Sequence, residues 1–167
     1  AGRISHALAA RAGDVVVEVG PGLGSLTLAL LETGARVEAV EIDARLAGLL
    51  PLTIARFAPE SADRLTVRCE DAVHMRPDVA ATAFVANLPY NTGVPILLNV
   101  LEHFPTIDSG VVMVQAEVAQ RLTAEPGSRQ YGVPTVKAAW WAQTRAMGKV
   151  GTDVFWPAPN VQSGLVG

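Results

Sequence analysis

The sequence predicts an α/β fold with a mostly parallel sheet, helices on both faces and an antiparallel hairpin at one edge. Three observations support this prediction. Short apolar strand patterns alternate five times with helical patterns, two strand patterns then follow each other, and 50% of the 167 residues are hydrophobic. Alternating strands and helices form parallel crossovers, whereas consecutive strands form hairpins. The length predicts one domain, because domains commonly contain roughly 100–200 residues.

Seven runs enriched in β-branched and apolar residues predict the strands. They lie at 15–19, 36–42, 65–69, 82–86, 110–114, 135–145 and 161–166. The first run, Val15–Val19, is almost entirely β-branched, which is typical of a central strand buried on both faces. In the sixth run, Trp140 and Trp141 would point to opposite sides of the sheet. We expect one of them to fill the core, and a platform for stacking RNA bases is the less favoured alternative.

Apolar residues at helical spacing predict the helices. They are expected at 4–12, at 25–33, around 46–50, after Thr92, and at 116–122. Ser25 and Thr92 are expected to cap the helices that follow them, because a hydroxyl oxygen accepts a hydrogen bond from a free helix N–H. Gly34 is expected to end the second helix. Pro51 is expected to interrupt or shift the third helix, since proline lacks the N–H that a helix requires.

The loop after the first predicted strand contains Gly20, Gly22 and Gly24, with the spacing G-x-G-x-G. Because glycine has no Cβ, such a loop can turn sharply and approach a ligand closely. A dinucleotide-binding loop has the spacing G-x-G-x-x-G, and Ser25 occupies the last of those positions here. The loop alone is a weak signal, and a purely structural turn is the alternative.

Two acidic residues lie at the ends of the next two predicted strands. Glu41 lies about 20 residues beyond the glycine loop, where a carboxylate can accept hydrogen bonds from both hydroxyls of a ribose. Asp71 is placed to accept a hydrogen bond from an adenine amino group. The alternatives are a solvated acid for Glu41 and a helix N-cap ahead of Ala72 for Asp71. Together these residues predict an adenosine site, which would fit either NAD or S-adenosylmethionine.

The loop after the fourth predicted strand contains Asn87, Leu88, Pro89 and Tyr90. The side-chain oxygen of Asn87 and the carbonyl of Leu88 can accept the two hydrogens of an exocyclic amino group. Pro89 would stiffen the loop, and Tyr90 would stack on an extruded base. A nucleobase amino group beside an adenosine site favours S-adenosylmethionine, whose sulfonium methyl needs alignment more than a strong base. An Asn-Pro turn with a partly buried tyrosine is the alternative.

Five motifs, in this order, resemble those of the ribosomal RNA adenine dimethyltransferases. They are Val17–Gly24, Val40–Asp43, Asn87–Asn91, Val114–Ala119 and Phe155–Pro159. The form Asn-Leu-Pro-Tyr-Asn and the tail Val161–Ser163 are most similar to the small-subunit enzymes, the KsgA family. The resemblance implies a class I methyltransferase fold, which is Rossmann-like, with S-adenosylmethionine as cofactor and S-adenosylhomocysteine as product. It further implies dimethylation of two adjacent adenosines in small-subunit (16S) ribosomal RNA, and a role in ribosome biogenesis.

The same resemblance implies roles for individual residues. Those expected to contact the cofactor are Gly20, Gly22, Glu41, Asp71, Ala72 and Asn87. Asn87 and the Leu88 carbonyl are expected to hold the target amino group, in a loop stiffened by Pro89, with Tyr90 and Phe155 flanking the base. By the same resemblance, residues 1–167 form one catalytic domain. It lacks the family's N-terminal glutamine-asparagine motif and its C-terminal helical domain.

The composition bears on nucleic-acid binding, metal sites, disulfides and membrane spans. The net charge of −3 is unlike that of a general nucleic-acid-binding protein, which usually has a basic face. The three histidines are scattered, so we expect no metal site. Cys69 is the only cysteine, which excludes disulfides within the chain, and we expect it to be a small buried residue. No apolar run approaches the roughly 20 residues that span a bilayer, and we expect a cytoplasmic monomer.

Three other functions remain open at this point. A macrolide-resistance enzyme would use similar chemistry on large-subunit RNA. A non-catalytic relative would bind RNA or assist assembly, although Glu41, Asn87 and Tyr90 argue against that role. An NAD-dependent dehydrogenase is a distant third, since the glycine spacing is wrong and no acid for hydride transfer is evident.

Overall fold

The computed structural model describes residues 10–150 and 162–167, and its strands form one seven-stranded sheet. The strands are β1 (Val15–Val19), β2 (Arg36–Glu41), β3 (Leu65–Cys69), β4 (Ala83–Asn87), β5 (Ser109–Gln115), β6 (Ala146–Val150) and β7 (Ser163–Val166). Their order across the sheet is β3-β2-β1-β4-β5-β7-β6. The first five strands are parallel, and β7 runs antiparallel to both of its neighbours. The predicted α/β sheet with an antiparallel hairpin is therefore confirmed.

Five α-helices and one 3-10 helix cover the sheet in the described part of the chain. The α-helices are α1 (Ser25–Glu32), α2 (Ala44–Phe57), α3 (Gly93–His103), α4 (Ala116–Leu122) and α5 (Val133–Trp141), and the 3-10 helix is Pro59–Arg64. Their apolar residues form two separate cores. Leu30 of α1 and Leu50 of α2 lie in one core with Val16. Val100 of α3 and Leu122 of α4 lie in the other core, with side chains from the opposite face of β1. Helices therefore cover both faces, and β1 is buried between them.

The strand predicted at 135–145 is wrong, because residues 135–141 lie in helix α5 and the strand begins only at Ala146. The hydroxyl of Thr135 accepts a hydrogen bond from the Gly132 N–H at 3.1 Å, which holds the first turn. Ala138 is fully buried, whereas Trp140 is 79% exposed and Trp141 is 50% exposed. The expectation that a tryptophan here fills the core is therefore also wrong. The strand propensity of this segment is overridden by a first turn containing proline and by packing through small side chains.

Several local predictions also need correction. Helix α2 continues through Pro51, because Leu50 and Ile54, both fully buried, fix the helix to the core on either side. Gly24, in the left-handed conformation at φ +91°, occupies the N-cap of α1 in place of Ser25. Thr92 is the N-cap residue of α3, but its side chain makes no capping hydrogen bond.

Three further predictions have different outcomes. Cys69 is exposed at the end of β3, contrary to the buried position expected for it. Residues 10–12 are not helical, and the rest of the helix predicted at 4–12 lies outside the described residues. Gly34 follows the end of α1 at φ +89°, as expected for a residue that ends a helix.

Candidate active site at the carboxyl edge of the sheet

The carboxyl ends of the first four strands meet at one edge of the sheet. Glu41 pairs with Cys69 across β2 and β3, and Val19 pairs with Val40 and Ala86 on either side of β1. The order along this edge is therefore Asp71, Glu41, Gly20 and Asn87. Ligands of open α/β sheets bind at this edge, where loops diverge from neighbouring strands.

The glycine loop lies directly against the end of β4. A Cβ added to Gly20, which has φ +70°, would lie 3.4 Å from the carbonyl oxygen of Asn87. Gly22 has φ +56° and nothing within 4 Å of its Cβ position, so this part of the loop is open. Gly24 contacts α2, since a Cβ there would lie 2.7 Å from Leu50 Cδ1. The loop is therefore backed by protein at both ends and open in its middle.

Glu41 is oriented towards the glycine loop. Its side chain is buried, with 7% of its surface exposed. One carboxylate oxygen accepts a hydrogen bond from the Gly22 N–H at 3.3 Å, and the other accepts one from the Asp43 N–H at 3.0 Å. The carboxylate thus links the loop after β1 to the loop after β2, and it is the group expected to bind a ribose.

Asp71 begins a tight turn after β3. Its Oδ1 accepts a hydrogen bond from the Val73 N–H at 2.9 Å, and its carbonyl accepts one from the His74 N–H at 3.0 Å. A turn, and no helix, follows Asp71, so the alternative of a helix N-cap does not hold. Asp71 itself is exposed and Ala72 is buried. The turn therefore exposes the Asp71 carboxylate next to the buried, apolar side chain of Ala72.

The loop after β4 is fixed at both ends. The Leu88 N–H donates to the Met113 carbonyl at 2.9 Å, and the Pro89 carbonyl accepts from the Gly93 N–H at 2.8 Å. The Leu88 side chain is 2% exposed and anchors the loop in the core. Asn87 is exposed, and Tyr90 is 48% exposed, so the tyrosine ring is not packed inside the protein.

Sequence reasoning assigned no role to Glu18, which lies in β1 beneath the glycine loop. It is fully buried; Oε2 accepts a hydrogen bond from the Thr27 hydroxyl at 2.7 Å, and Oε1 has no partner among the described residues. Burial raises the pKa of this carboxyl to about 7, against the opposing effect of the Thr27 hydrogen bond. The available signal was an acid within a strand otherwise made of valines.

Sequence reasoning also assigned no role to Ile42. This apolar side chain is 69% exposed immediately after Glu41, at the edge that also holds Asp71. An exposed β-branched side chain next to two carboxylates suits the face of a planar ring. The available signal was an apolar residue between two acids at a strand end.

Phe155, expected to flank a base, lies outside the described residues. Within the described ranges, no three histidine, cysteine or acidic side chains are grouped so that they could hold a metal ion. None of the described helices is both long enough and apolar enough to cross a membrane.

The chain matches one family model along its whole length. Residues 1–167 match the model described as "Ribosomal RNA adenine dimethylase". The relative named "Ribosomal RNA small subunit methyltransferase A" from Streptomyces avermitilis is 61% identical over 98% of this chain and 56% of its own length. The protein of that name from Leifsonia xyli is 59% identical over 99% of this chain and 59% of its own length. The chain thus spans little more than half the length of these relatives.

Solved structures with related sequences have the same fold. A dimethyladenosine transferase from Plasmodium falciparum aligns with a TM-score of 0.86 at 28% identity, over 98% of this chain and 58% of the other. The 23S rRNA methyltransferase ErmE aligns with a TM-score of 0.81 at 30% identity, over 99% of this chain and 64% of the other. With its full-length match to the family model, the chain belongs to the ribosomal RNA adenine dimethylase family.

Proposed function

We propose that this chain is the catalytic domain of an S-adenosylmethionine-dependent methyltransferase that dimethylates two adjacent adenosines of small-subunit ribosomal RNA. The observation that carries the proposal is the contact between two loops. The glycine loop after β1 approaches the Asn87 carbonyl with no side chain between them. A methyl donor held by the first loop would therefore lie beside an amino group held by the second.

The charges at the site fit this cofactor. Glu41 would accept hydrogen bonds from the ribose hydroxyls, and Asp71 would accept one from the adenine amino group. Glu18 Oε1, buried without a partner among the described residues, suits a cationic group. Glu41 already occupies the Gly22 N–H, a donor that a pyrophosphate would otherwise use. This acidic setting favours a positively charged sulfonium compound over a dinucleotide.

The loop after β4 suits a base with an exocyclic amino group. Asn87 Oδ1 and the Leu88 carbonyl would accept its two hydrogens, and the exposed ring of Tyr90 would stack on its face. Such a nitrogen is a poor nucleophile, because its lone pair is delocalised into the ring. Two acceptors draw the nitrogen towards a pyramidal geometry and localise the lone pair on the reacting side.

The chain supplies alignment, and the bound cofactor would supply an activated methyl group. Pro89 and the hydrogen bond from Gly93 to its carbonyl hold the acceptors in place before the substrate arrives. Leu88 contributes by burial, which fixes the direction of its carbonyl. Aligning the amino nitrogen with the methyl group in this way uses binding energy to raise the rate of transfer, so that no strong base is needed at the site.

Small-subunit RNA is the better-supported substrate. The identity to relatives named for the small subunit reaches 61%, whereas the identity to the 23S enzyme ErmE is 30%. The expectations of a cytoplasmic location and a monomeric state remain predictions, and Phe155 as a second partner of the base remains one too.

The test uses the protein at its full natural length. Calorimetric titration with S-adenosylmethionine measures cofactor binding. Transfer of labelled methyl groups is then measured with isolated small and large ribosomal subunits as separate substrates. We expect saturable binding and incorporation into small-subunit adenosines only. Incorporation into the large subunit would indicate the macrolide-resistance activity, and cofactor binding without transfer to either subunit would indicate a non-catalytic relative.

A further inference from the structure

Asn99, on helix α3, makes its contacts with the turn that follows β3. The side chain is 9% exposed. Its Nδ2 donates hydrogen bonds to the Ala72 carbonyl at 3.2 Å and to the Met75 carbonyl at 3.0 Å. Its Oδ1 accepts a hydrogen bond from Arg76 Nη1 at 2.8 Å. Every polar atom of this buried amide is thus used on one turn, 23 to 27 residues away in the sequence.

The contacts fix the orientation of the amide. Two carbonyl groups require donors, and a guanidinium requires an acceptor, so exchanging Oδ1 and Nδ2 would break all three bonds. Arg76 also donates a hydrogen bond to the carbonyl of its neighbour Met75 at 2.9 Å, which stabilises the end of the turn. Ala72 and Met75 pack in the same core as Val100, next to Asn99 on α3. The turn is therefore attached to α3 by polar and apolar contacts.

Helix α3 connects the two parts of the proposed site. It begins at Gly93, which donates to the Pro89 carbonyl of the loop proposed to hold the target base. Two turns later it presents Asn99 to the turn that carries Asp71 and Ala72, proposed to hold the adenine of the cofactor. One rigid element thus sets the position of both loops.

We propose that Asn99 is a positioning residue that holds the Asp71–Ala72 turn in the conformation that binds the cofactor's adenine. This inference rests on the proposed function. Asn99 is not itself among the residues expected to touch the cofactor or the target base. It acts through the Ala72 carbonyl, which is adjacent to Asp71, and through Arg76. Without its two donors, the buried Ala72 carbonyl would have to turn towards water, while the Met75 carbonyl would keep only its hydrogen bond from Arg76. The Asp71 carboxylate would move with the Ala72 carbonyl.

The test compares Asn99→Ala and Asn99→Asp with wild type, in the protein at its full natural length. Aspartate keeps an acceptor for Arg76 but cannot donate to the two carbonyls. Glu102→Ala, an exposed change one turn later on α3, is the matched control. Hydrogen exchange of the Val73 and His74 amides in the cofactor-free protein reports on the turn. Calorimetry gives the dissociation constant of S-adenosylmethionine, and transfer assays give kcat and KM.

We expect both Asn99 variants to speed exchange at Val73 and His74 and to weaken cofactor binding about tenfold, the effect of losing roughly one net hydrogen bond. The value of kcat at saturating cofactor and the KM for RNA should stay near wild type, as should all parameters of Glu102→Ala. In a double-mutant cycle, Asn99→Asp should add little to the loss caused by Asp71→Ala.

Unchanged exchange at the turn, or losses that add fully to that of Asp71→Ala, would overturn the role of Asn99. Faster exchange at the turn in a protein whose wild type binds no S-adenosylmethionine would have a different meaning. It would support the attachment of the turn to Asn99 and count against the proposed cofactor.

Discussion

Gly20 and Asn87 approach each other so closely that a Cβ added to Gly20 would lie 3.4 Å from the Asn87 carbonyl oxygen. The first residue opens the glycine loop, and the second ends the strand that leads into the loop proposed to hold the target base. This contact brings the proposed cofactor and the proposed target base to adjacent positions. Small changes on either side of it should therefore affect binding and transfer differently.

Gly20→Ala should lower both the stability of the fold and the affinity for S-adenosylmethionine. The φ of +70° costs an alanine about 1–2 kcal/mol, and the added methyl group would meet the Asn87 carbonyl. We expect calorimetry to give a dissociation constant raised about tenfold or more. Gly127→Ala is the control, because Gly127 has φ +85° and an open Cβ position far along the chain. Equal effects of both variants on binding would contradict this expectation.

Asn87→Ala should abolish most methyl transfer while the fold is retained. Removing one positioned hydrogen-bonding group from a transition state typically costs roughly 100-fold or more in rate. The side chain is exposed at the end of β4, so the melting temperature should change little. Gln120→Ala removes an exposed amide from helix α4 and serves as the control. Undiminished turnover by Asn87→Ala would exclude the proposed role of the loop.

Tyr90 should act through its ring rather than its hydroxyl. We expect Tyr90→Phe to retain activity and Tyr90→Ala to lose about 5- to 150-fold in kcat/KM for RNA, the range for one base-stacking contact. Because the ring is 48% exposed, neither change should greatly affect the melting temperature. Cofactor affinity should also be unchanged. A loss with Tyr90→Phe as large as with Tyr90→Ala would show that the hydroxyl is the functional group.

Glu18→Gln should change how stability depends on pH. Burial raises the pKa of Glu18 from 4.5 to about 7 in the folded protein. Between these two pH values Glu18 holds a proton in the folded state that it releases in the unfolded state. The contribution of Glu18 to stability is therefore greatest below pH 4.5 and falls as the pH rises to 7. A glutamine does not titrate. The stability of the variant relative to wild type should therefore be higher at pH 8 than at pH 4.5 by about 3 kcal/mol.

Urea unfolding at the two pH values measures this difference. Working with the difference between variant and wild type cancels the contributions of other groups, including Glu38, whose pKa burial also raises. A pH-independent difference would mean that folding leaves the pKa of Glu18 unchanged.

Arg68→Met should destabilise the fold, and more at pH 8 than at pH 5. Its guanidinium pairs with Glu38 at 2.8 Å, Asp78 at 2.8 Å and Glu70 at 2.5 Å. Burial is the main cause that raises the pKa of Glu38, and Arg68 opposes this. Without the arginine the three carboxylates would repel one another when ionised. We expect a loss of about 2–4 kcal/mol at pH 8, because Glu38 is nearly buried.

Urea unfolding at both pH values measures this loss. Arg45→Met is the control, since Arg45 pairs with Asp43 at 3.1 Å with 89% of its side chain exposed. An exposed pair of this kind contributes little to stability, because water and salt screen it. A loss for Arg68→Met as small as for Arg45→Met would mean that the cluster is effectively solvated.

The prediction of the site loops and the prediction of residues 135–145 depended on different kinds of signal. Gly20, Glu41, Asp71 and Asn87 each lie at or just beyond the end of a predicted strand, and parallel strands bring such positions to one edge whatever their exact packing. For residues 135–145, valine, threonine and tryptophan favoured a strand, but Pro134 and the Thr135–Gly132 hydrogen bond start a helix instead. Local propensity is too weak to decide such a segment.

The sequence by itself determined the α/β class and the family to which the chain belongs. It also determined that parallel strands bring the loops of the candidate site to one edge of the sheet. Those properties follow from the order of the motifs and from the spacing of the apolar residues, which can be read directly from the sequence. Only the tertiary structure decided that α2 passes through Pro51, that Cys69 and Trp140 are exposed, that Glu18 is buried, and that Asn99 holds the turn after β3. Each of these depends on contacts between distant segments, and their energies are comparable to or larger than any local preference.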